Sequence, residues 1–419
     1  MSLDDATLDR LLVRAERARL SGSTRTIRES FKSLTSPYWQ LSLDERDRMH
    51  ERMRAAASTG AIKLEWARQG GGDRPLDAVV LQDLDRLADH LQRPTSSAIL
   101  GQAAALLAPW HGQGQVDELL ACWAQLKQVR LLGPGSAADF ADALRALDAM
   151  AGTKEDRIVR QLSTQLFGDS KRLEALSKHL DLLTAETLNA PARHWSEVFG
   201  AIGLIKEPQP FLVAGMGKLR LTDQDDCTVI RPYLGVANTV IQGYMGAPAW
   251  LLTIENLTTF HQAARELSKN PSGVIIYTAG MPSPSWGQAY VRILSSLEHK
   301  PPIYHWGDHD EGGFRIAARI AQFATQSGFR LQPWSMQASR WPDRGQDAKA
   351  EQHRAMKRNA ARAGWAELAD QLAPVGVVCG RGRNPTLRLW PTIFSGKIDV
   401  FPGDRRSRLI SSMTSVAPA

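Results

Sequence analysis

Apolar and polar positions change their period three times along the chain. The stretch SLDERDRMHERMRAAASTG (42–60) spaces its apolar residues as a helix and stops at Gly60. AIKLEWA then alternates like a strand, RQGGGDRP reads as a turn, and LDAVVLQDL is apolar again. Helix, strand, Gly-rich turn and strand is the layout of a winged helix, which predicts such a domain over residues 1–92. Arg46, Arg48, Arg52 and Arg54 lie on the helix that precedes the strands, interleaved with acids. They are the candidate DNA contacts, although the same layout also serves as a protein-docking module. Residues 93–210 keep a helical period through AILGQAAALLAPW, VDELLACWAQL, ADFADALRALDAM and SKRLEALSKHLDLL, broken at HGQGQ and GPGSA. No cluster of chemistry-bearing side chains stands out there, and the segment reads as a helical scaffold.

From Ala249 the period shortens. AWLLTI, GVIIYTAG, PIYHW and FRLQPW are compact apolar runs, separated by the helical patterns ENLTTFHQAARELSKN, SWGQAYVRILSSLEHK and GFRIAARIAQFATQ. This βαβαβαβ alternation predicts a parallel sheet covered by helices, with right-handed crossovers. The loops that leave the strands at their C-terminal ends then share one rim. On that rim the sequence places Glu255, Gly280, and the cluster Gly307, Asp308, Asp310 and Glu311. One aspartate can cap the helix that follows. Glu255, Asp308 and Asp310 together would repel each other without a cation, so the spacing points to Mg²⁺ or Mn²⁺ held by carboxylate oxygens. Glu311 is either an outer acid of that site or a first-turn residue suited to the helix dipole. Gly280 and Gly312 would permit close backbone approach or tight packing. His305 and His309 flank the acids and leave open a zinc site of mixed ligands. The DQDD run at 223–226 reads as a solvated loop.

Composition narrows the class. The 419 residues suggest two or three domains, and 43% hydrophobic with 23% charged residues is ordinary for a globular chain. No apolar run reaches the roughly 20 residues of a membrane helix, and the first thirty residues do not resemble a secretory leader. Cys122, Cys227 and Cys379 are far apart, which argues against a thiolate metal site and suits a reducing, cytoplasmic setting. The net charge is +7, and residues 331–410 hold fourteen Lys/Arg against seven Asp/Glu, the whole of the excess. A basic segment after an acid cluster suits a polyanion such as DNA, or a solvated basic surface.

Glu after the first strand, a glycine-bearing loop after the second, and Asp-x-Asp with glycine after the third resembles a Toprim domain, with its core at 245–336. TIENLTTF (253–260) and YHWGDHDEGGFRI (304–316) are similar, more closely, to the C-terminal domain of the JetD family of Wadjet plasmid-defence systems. FGDSKRLEALSKHLDLL (167–183) resembles a segment ahead of that domain. The basic stretch beyond Arg340 does not align with the family's ending. The resemblance implies an α/β plus α-rich chain: a winged helix at 1–92, a helical, CAP-like middle domain at 93–210, and a Toprim domain at 211–419 with a basic extension. It also implies a metal-dependent DNA endonuclease acting on plasmid DNA. Glu255, Asp308 and Asp310 would hold the ions, with Glu255 as ligand or general base. Partners would be an SMC-like ATPase, a kleisin and an accessory subunit, and the chain would be a homodimer in the bacterial cytoplasm, with little activity on its own.

Related topoisomerase VI A subunits place a nucleophilic tyrosine just before the Toprim domain. The tyrosines here are Tyr38, Tyr233, Tyr244, Tyr277, Tyr290 and Tyr304, with none between 39 and 232. Hydrolysis by a metal-activated water is therefore expected over tyrosine transesterification. A non-catalytic winged-helix regulator is the remaining alternative.

Overall fold

A computed structural model describes residues 2–68, 74–223, 225–268, 272–336, 346–347, 350–372 and 378–379. Most of the basic stretch beyond Arg340 lies outside the described residues, as do 69–73 of the Gly-rich turn and Gln224 of the DQDD run. The chain parts into two units, Met1–Leu144 with Thr187–Asn189, and Arg145–Glu186 with Ala190–Ala419. The stretch 93–210, read above as one helical segment, spans that break.

In the first unit, α1 (Leu3–Leu20) and β1 (Arg28–Ser30) lead to α2 (Leu43–Ser58), β2 (Ile62–Trp66), β3 (Leu76–Leu81) and α3 (Leu84–His90). Helix α2 starts where it does because Ser42 and Glu45 form a capping box, each side chain taking the other's backbone N–H. The strands pair antiparallel in the order β1-β3-β2. Leu8, Leu11, Met49, Met53, Ile62, Leu76 and Val79 form their core. Tyr38 is buried in it, with its hydroxyl accepting the Leu76 N–H at 2.9 Å and lying 3.0 Å from His50 Nε2. Helices α4 (Ser96–Leu107) and α5 (Gly114–Ala124) follow, and α6 (Ala137–Met150) runs across the break.

The second unit opens with β4 (Arg157–Ile158), α7 (Val159–Phe167), α8 (Arg172–Ala175), α9 (Ser177–Leu183), α10 (Trp195–Ala201) and β5 (Leu204–Ile205). Then come β6 (Phe211–Gly215), β7 (Lys218–Leu221), β8 (Cys227–Thr228), β9 (Leu234–Val236) and β10 (Ile241–Met245). The expected alternation follows as β11 (Leu251–Ile254), α11 (Leu257–Leu267), β12 (Val274–Tyr277), α12 (Pro284–Ser295), β13 (Ile303–Trp306), α13 (Glu311–Gln326) and β14 (Leu331–Pro333). Helices α14 (Ala350–Arg362) and α15 (Ala366–Gln371) and the short pair β15 (Gln346–Asp347) and β16 (Val378–Cys379) close the described chain.

Six strands form the main sheet in the order β14-β13-β11-β12-β6-β9. The four from β11 to β14 are mutually parallel, so the fold is mixed α/β with a parallel-containing sheet. Two further strands lie outside the βα alternation: β6 pairs antiparallel with β12, and β9 antiparallel with β6. All four residues of β11 are buried, because helices cover both faces of this central strand. Phe260, Ala263 and Leu267 of α11 pack with Leu252, Ile254 and Ile275 on one face. Trp286 and Ile293 of α12 and Phe314 and Ile320 of α13 pack with Leu251, Val274 and Ile303 on the other. Beyond them α14 packs on α13 and α15 on α14, with Trp365 Nε1 donating to the Leu331 carbonyl at 2.8 Å. The chain therefore leaves β11 towards one face and the adjacent β13 towards the other. Such a switch point opens a crevice at the C-terminal strand ends. Among the described residues no helix is long and apolar enough to cross a membrane.

Candidate active site

Glu255 is the first residue after β11, and Asp308 stands two residues after β13. The Glu255 N–H continues the sheet by donating to the Trp306 carbonyl at 3.0 Å, which fixes its backbone at the rim. Its side chain turns to the neighbouring strand end, where Oε2 accepts the Asp308 N–H at 3.2 Å. These two acids, 53 positions apart in sequence, are thus brought together at the switch point. Burial, and then the charges of Asp308, Asp310 and Glu197, push the Glu255 carboxyl up to about 8.

Asp310 fulfils the capping alternative: it is the N-cap of α13, and Oδ1 accepts the Gly313 N–H at 2.8 Å. Glu311 sits in the first turn and pairs with Arg315 one turn on. Arg315 also pairs with Glu197 of α10. Glu197 lies in the segment read mostly as scaffold and is not among the expected site residues. A Cβ at Gly312 would lie 3.3 Å from both Asp310 Oδ1 and Glu197 Oε1, so the two carboxylates flank one glycine. Burial, with Glu311 and Asp310 nearby, raises the Glu197 carboxyl against the opposing pull of Arg315. One guanidinium therefore holds Glu197 and Glu311 beside the other acids.

Both histidines are held through Nδ1. Thr253 Oγ1 lies 3.0 Å from the Tyr304 carbonyl, to which it can donate, and 2.9 Å from His305 Nδ1. Burial holds the His305 pKa down to about 3, and its Nε2 is buried without a hydrogen-bond partner. A Cβ at Gly307 would lie 2.8 Å from that Nε2 and 2.9 Å from Glu255 Oε2, which is why the position takes glycine. His309 is tied through Nδ1 to the Met336 carbonyl at 2.8 Å and packs edge-on against Phe314. Gly280 has φ +77° with open space around it, so backbone conformation rather than crowding calls for glycine.

Among the described residues no three carboxylate, imidazole or thiolate groups converge as a ready-made metal cage. In chemistry the rim does fit a hard divalent ion. Its donors are carboxylate oxygens, and one of them is held well above its ordinary pKa by burial and its neighbours' negative charge. Glu255 and Asp308 would be the first ligands; Asp310 has Oδ2 to offer while Oδ1 caps, and Glu311 is engaged by Arg315.

The four arginines of α2 are placed separately, in the first unit. Arg46 lies over the Tyr38 and Trp39 rings at 5.2 and 5.5 Å, and Arg54 over Trp66 at 5.3 Å. Arg52 pairs with Asp4 and Asp5, and exposed Arg48 donates to the Asp44 carbonyl at 3.2 Å. Tyr244 is buried and donates its hydroxyl to the Met216 carbonyl, and Tyr233 packs against Phe260 at 5.6 Å and His261 at 5.1 Å.

Residues 233–364 match the family described as Wadjet protein JetD, C-terminal. The chain is 27% identical over 180 residues to Wadjet protein JetD of Bacillus cereus (strain Q1), covering 41% of this chain and 43% of that protein. The likeness read from TIENLTTF and YHWGDHDEGGFRI is thus borne out. The family match spans Glu255, Asp308, Asp310 and Glu311 and leaves Glu197 outside it.

Proposed function

From the likeness of this chain to Wadjet protein JetD, we propose that it is the DNA-cutting component of a Wadjet anti-plasmid system. In this reading the parallel sheet is a Toprim domain, and α2 with β2 and β3 is a winged helix that contacts DNA or a partner. The chain would act as a homodimer with an SMC-like ATPase, a kleisin and an accessory subunit on plasmid DNA in the cytoplasm. The observation that carries the reading is the pairing of Glu255 with Asp308 across adjacent parallel strand ends at the switch point.

Mg²⁺ or Mn²⁺ at this rim would supply Lewis-acid polarisation of a phosphate and a bound water of lowered pKa. The chain's own residues do the rest. The Asp308 N–H holds the Glu255 carboxylate in position against the sheet. Asp310 fixes the start of α13, whose N-terminal dipole favours a phosphate at the crevice. Arg315 keeps Glu197 and Glu311 gathered beside the acids without adding negative charge of its own.

The tyrosine alternative fits less well, since Tyr244 is buried with its proton engaged and burial raises its pKa. Incubation with circular plasmid and Mn²⁺, Mg²⁺ or EDTA tests the proposal, with the reconstituted complex beside the isolated chain. We expect linearisation in the metal lanes of the complex, and much weaker cutting by the chain alone. Tyr233→Phe and Tyr244→Phe should cut within about threefold of wild type, leaving no protein joined to DNA. Loss of cutting in either variant, with a covalent adduct in wild type, would establish transesterification instead. Metal-independent binding with no cutting in the complex would favour a regulator.

A further inference from the structure

A second feature of the same unit lies along α13, away from the acids. A cavity of about 280 Å³ is walled by α13, α14 and residues 184–186 and 190–193. Its charged lining includes Arg315, Arg319, Arg358, Arg362 and Arg193 against Glu186 and Glu311. Two of these guanidiniums are already matched: Arg193 by buried Asp181, and Arg315 by Glu197 and Glu311. Of the other three, Arg358 and Arg362 share the carboxylate of Glu186. Arg358 reaches it at 3.7 Å and Arg362 pairs with it directly.

Arg319 is the least satisfied of them. Its Nε is buried without a hydrogen-bond partner, and Nη1 meets Gln322 Oε1 at a long 3.5 Å. Its guanidinium stacks 4.7 Å over the Phe323 ring, which orients it without neutralising it. A guanidinium keeps its charge in a protein, and burying it without a counter-ion is costly. An oxyanion in the cavity would offer acceptors to Arg319 and a second anionic partner to the two half-exposed guanidiniums that share one carboxylate. The volume lies at the low end of small-molecule pockets, which run from about 300 to 1,000 Å³, and is ample for phosphate groups.

The spacing indicates which phosphates. Glu311, Arg315 and Arg319 follow one another at four-residue steps on one face of α13. Arg319 thus lies ~12 Å along the axis from the acid cluster. That is the reach of roughly three or four nucleotides of a strand, at about 3.4 Å each.

We propose that this groove holds the phosphodiester backbone of nucleic acid a few nucleotides from the bond to be cut. The direction of the strand rests on the nuclease reading; the oxyanion site itself rests on the guanidiniums. The groove is also a contact surface on the second unit, separate from the arginines of α2.

The test is fluorescence anisotropy of a labelled DNA duplex on the full chain in EDTA, which stops cleavage, at several salt concentrations. Arg319→Ala and Arg362→Ala should each raise Kd several-fold. Each should also flatten the plot of log affinity against log salt by about 0.9 for every phosphate that is no longer neutralised. Glu186→Gln, which frees two guanidiniums, should tighten binding several-fold, an outcome that a damaged fold cannot mimic. Binding measured in EDTA requires neither metal nor cutting, so a failure of the nuclease reading leaves this result standing. Wild-type slopes in both arginine variants, or no tightening in Glu186→Gln, overturn the proposal. So does a loss confined to inorganic phosphate binding with DNA affinity unchanged, which would make the groove a free-anion site.

Discussion

Glu255→Gln should abolish metal-dependent plasmid cutting, by at least about 10²–10³-fold, while making the fold more stable at neutral and alkaline pH. The two effects share one cause. In the folded chain the Glu255 carboxyl is raised from 4.5 to about 8, first by burial and then by Asp308. A group whose folded pKa is raised favours the fold when protonated. Its contribution is fully present below about pH 4.5 and is lost as pH rises through 8. Glutamine keeps the shape of the neutral acid and cannot ionise. Without divalent ions, wild type and variant should therefore melt together near pH 4.5, and the variant should gain with each unit above it. The limit is about 1.4 kcal/mol per unit, or a few kcal/mol by pH 8. Added Mn²⁺ should stabilise wild type through linkage and leave the variant unmoved. Cutting by the complex should rise with pH towards 8, as ion binding needs the carboxylate. Thermal melts at several pH values, with and without Mn²⁺, read all of this. A variant that cuts normally, or a stability gap that does not widen with pH, would show that Glu255 is not the buried acid of the site.

Much of this site is legible in local pattern. Four short apolar runs with helices between them specify the parallel strands, and the rule that their C-terminal loops share a rim places Glu255 with Asp308. Asp310 as cap is one of two readings open to the sequence, and its hydrogen bond to Gly313 makes it a cap whatever else it binds. The Glu311–Arg315 pair carries a signal of its own, since Glu and Arg four apart on a helix are natural partners. Glu197 carries none. It reaches the acids from a helix 118 positions before Arg315, and nothing in HWSEVFG sets that glutamate apart from a surface residue. That β6 and β9 join this sheet is not legible, because they come from a region without the βα rhythm and pair antiparallel, β6 with β12 and β9 with β6. The arginine groove is half visible: the basic stretch is plain in the sequence, but which face of α14 carries Arg358 and Arg362 depends on packing against α13. Periodicity shows which residues share a face of one element, and not which elements meet.

Gly313→Ala should cost both stability and cutting, without touching an acid. Gly313 is the third residue of α13, in the helical region, where alanine is ordinarily better than glycine by up to about 1 kcal/mol. Here the gain is outweighed. A Cβ at this position would lie 2.0 Å from the Asp308 carbonyl oxygen, 2.9 Å from its carbon and 3.0 Å from its nitrogen. All three are backbone atoms of the loop that bears the second acid, so relief requires the loop to move. That movement would draw the Asp308 N–H away from Glu255 and disturb the cap at Asp310. The expected destabilisation is roughly 1–3 kcal/mol, with cutting reduced by at least about 10²-fold, since small misplacements of reacting groups are costly. Two other glycines serve as controls with different physics. Gly312→Ala meets Asp310 Oδ1 and Glu197 Oε1 at 3.3 Å, side-chain ends that can give, and should be milder. Gly280→Ala meets nothing within 4 Å, and its cost comes from φ +77° alone. A wild-type melting temperature and rate for Gly313→Ala would mean that the loop is not held against α13 in this way. Lower stability with full cutting would separate the packing from the chemistry, whereas Glu255→Gln should lose cutting as it gains stability.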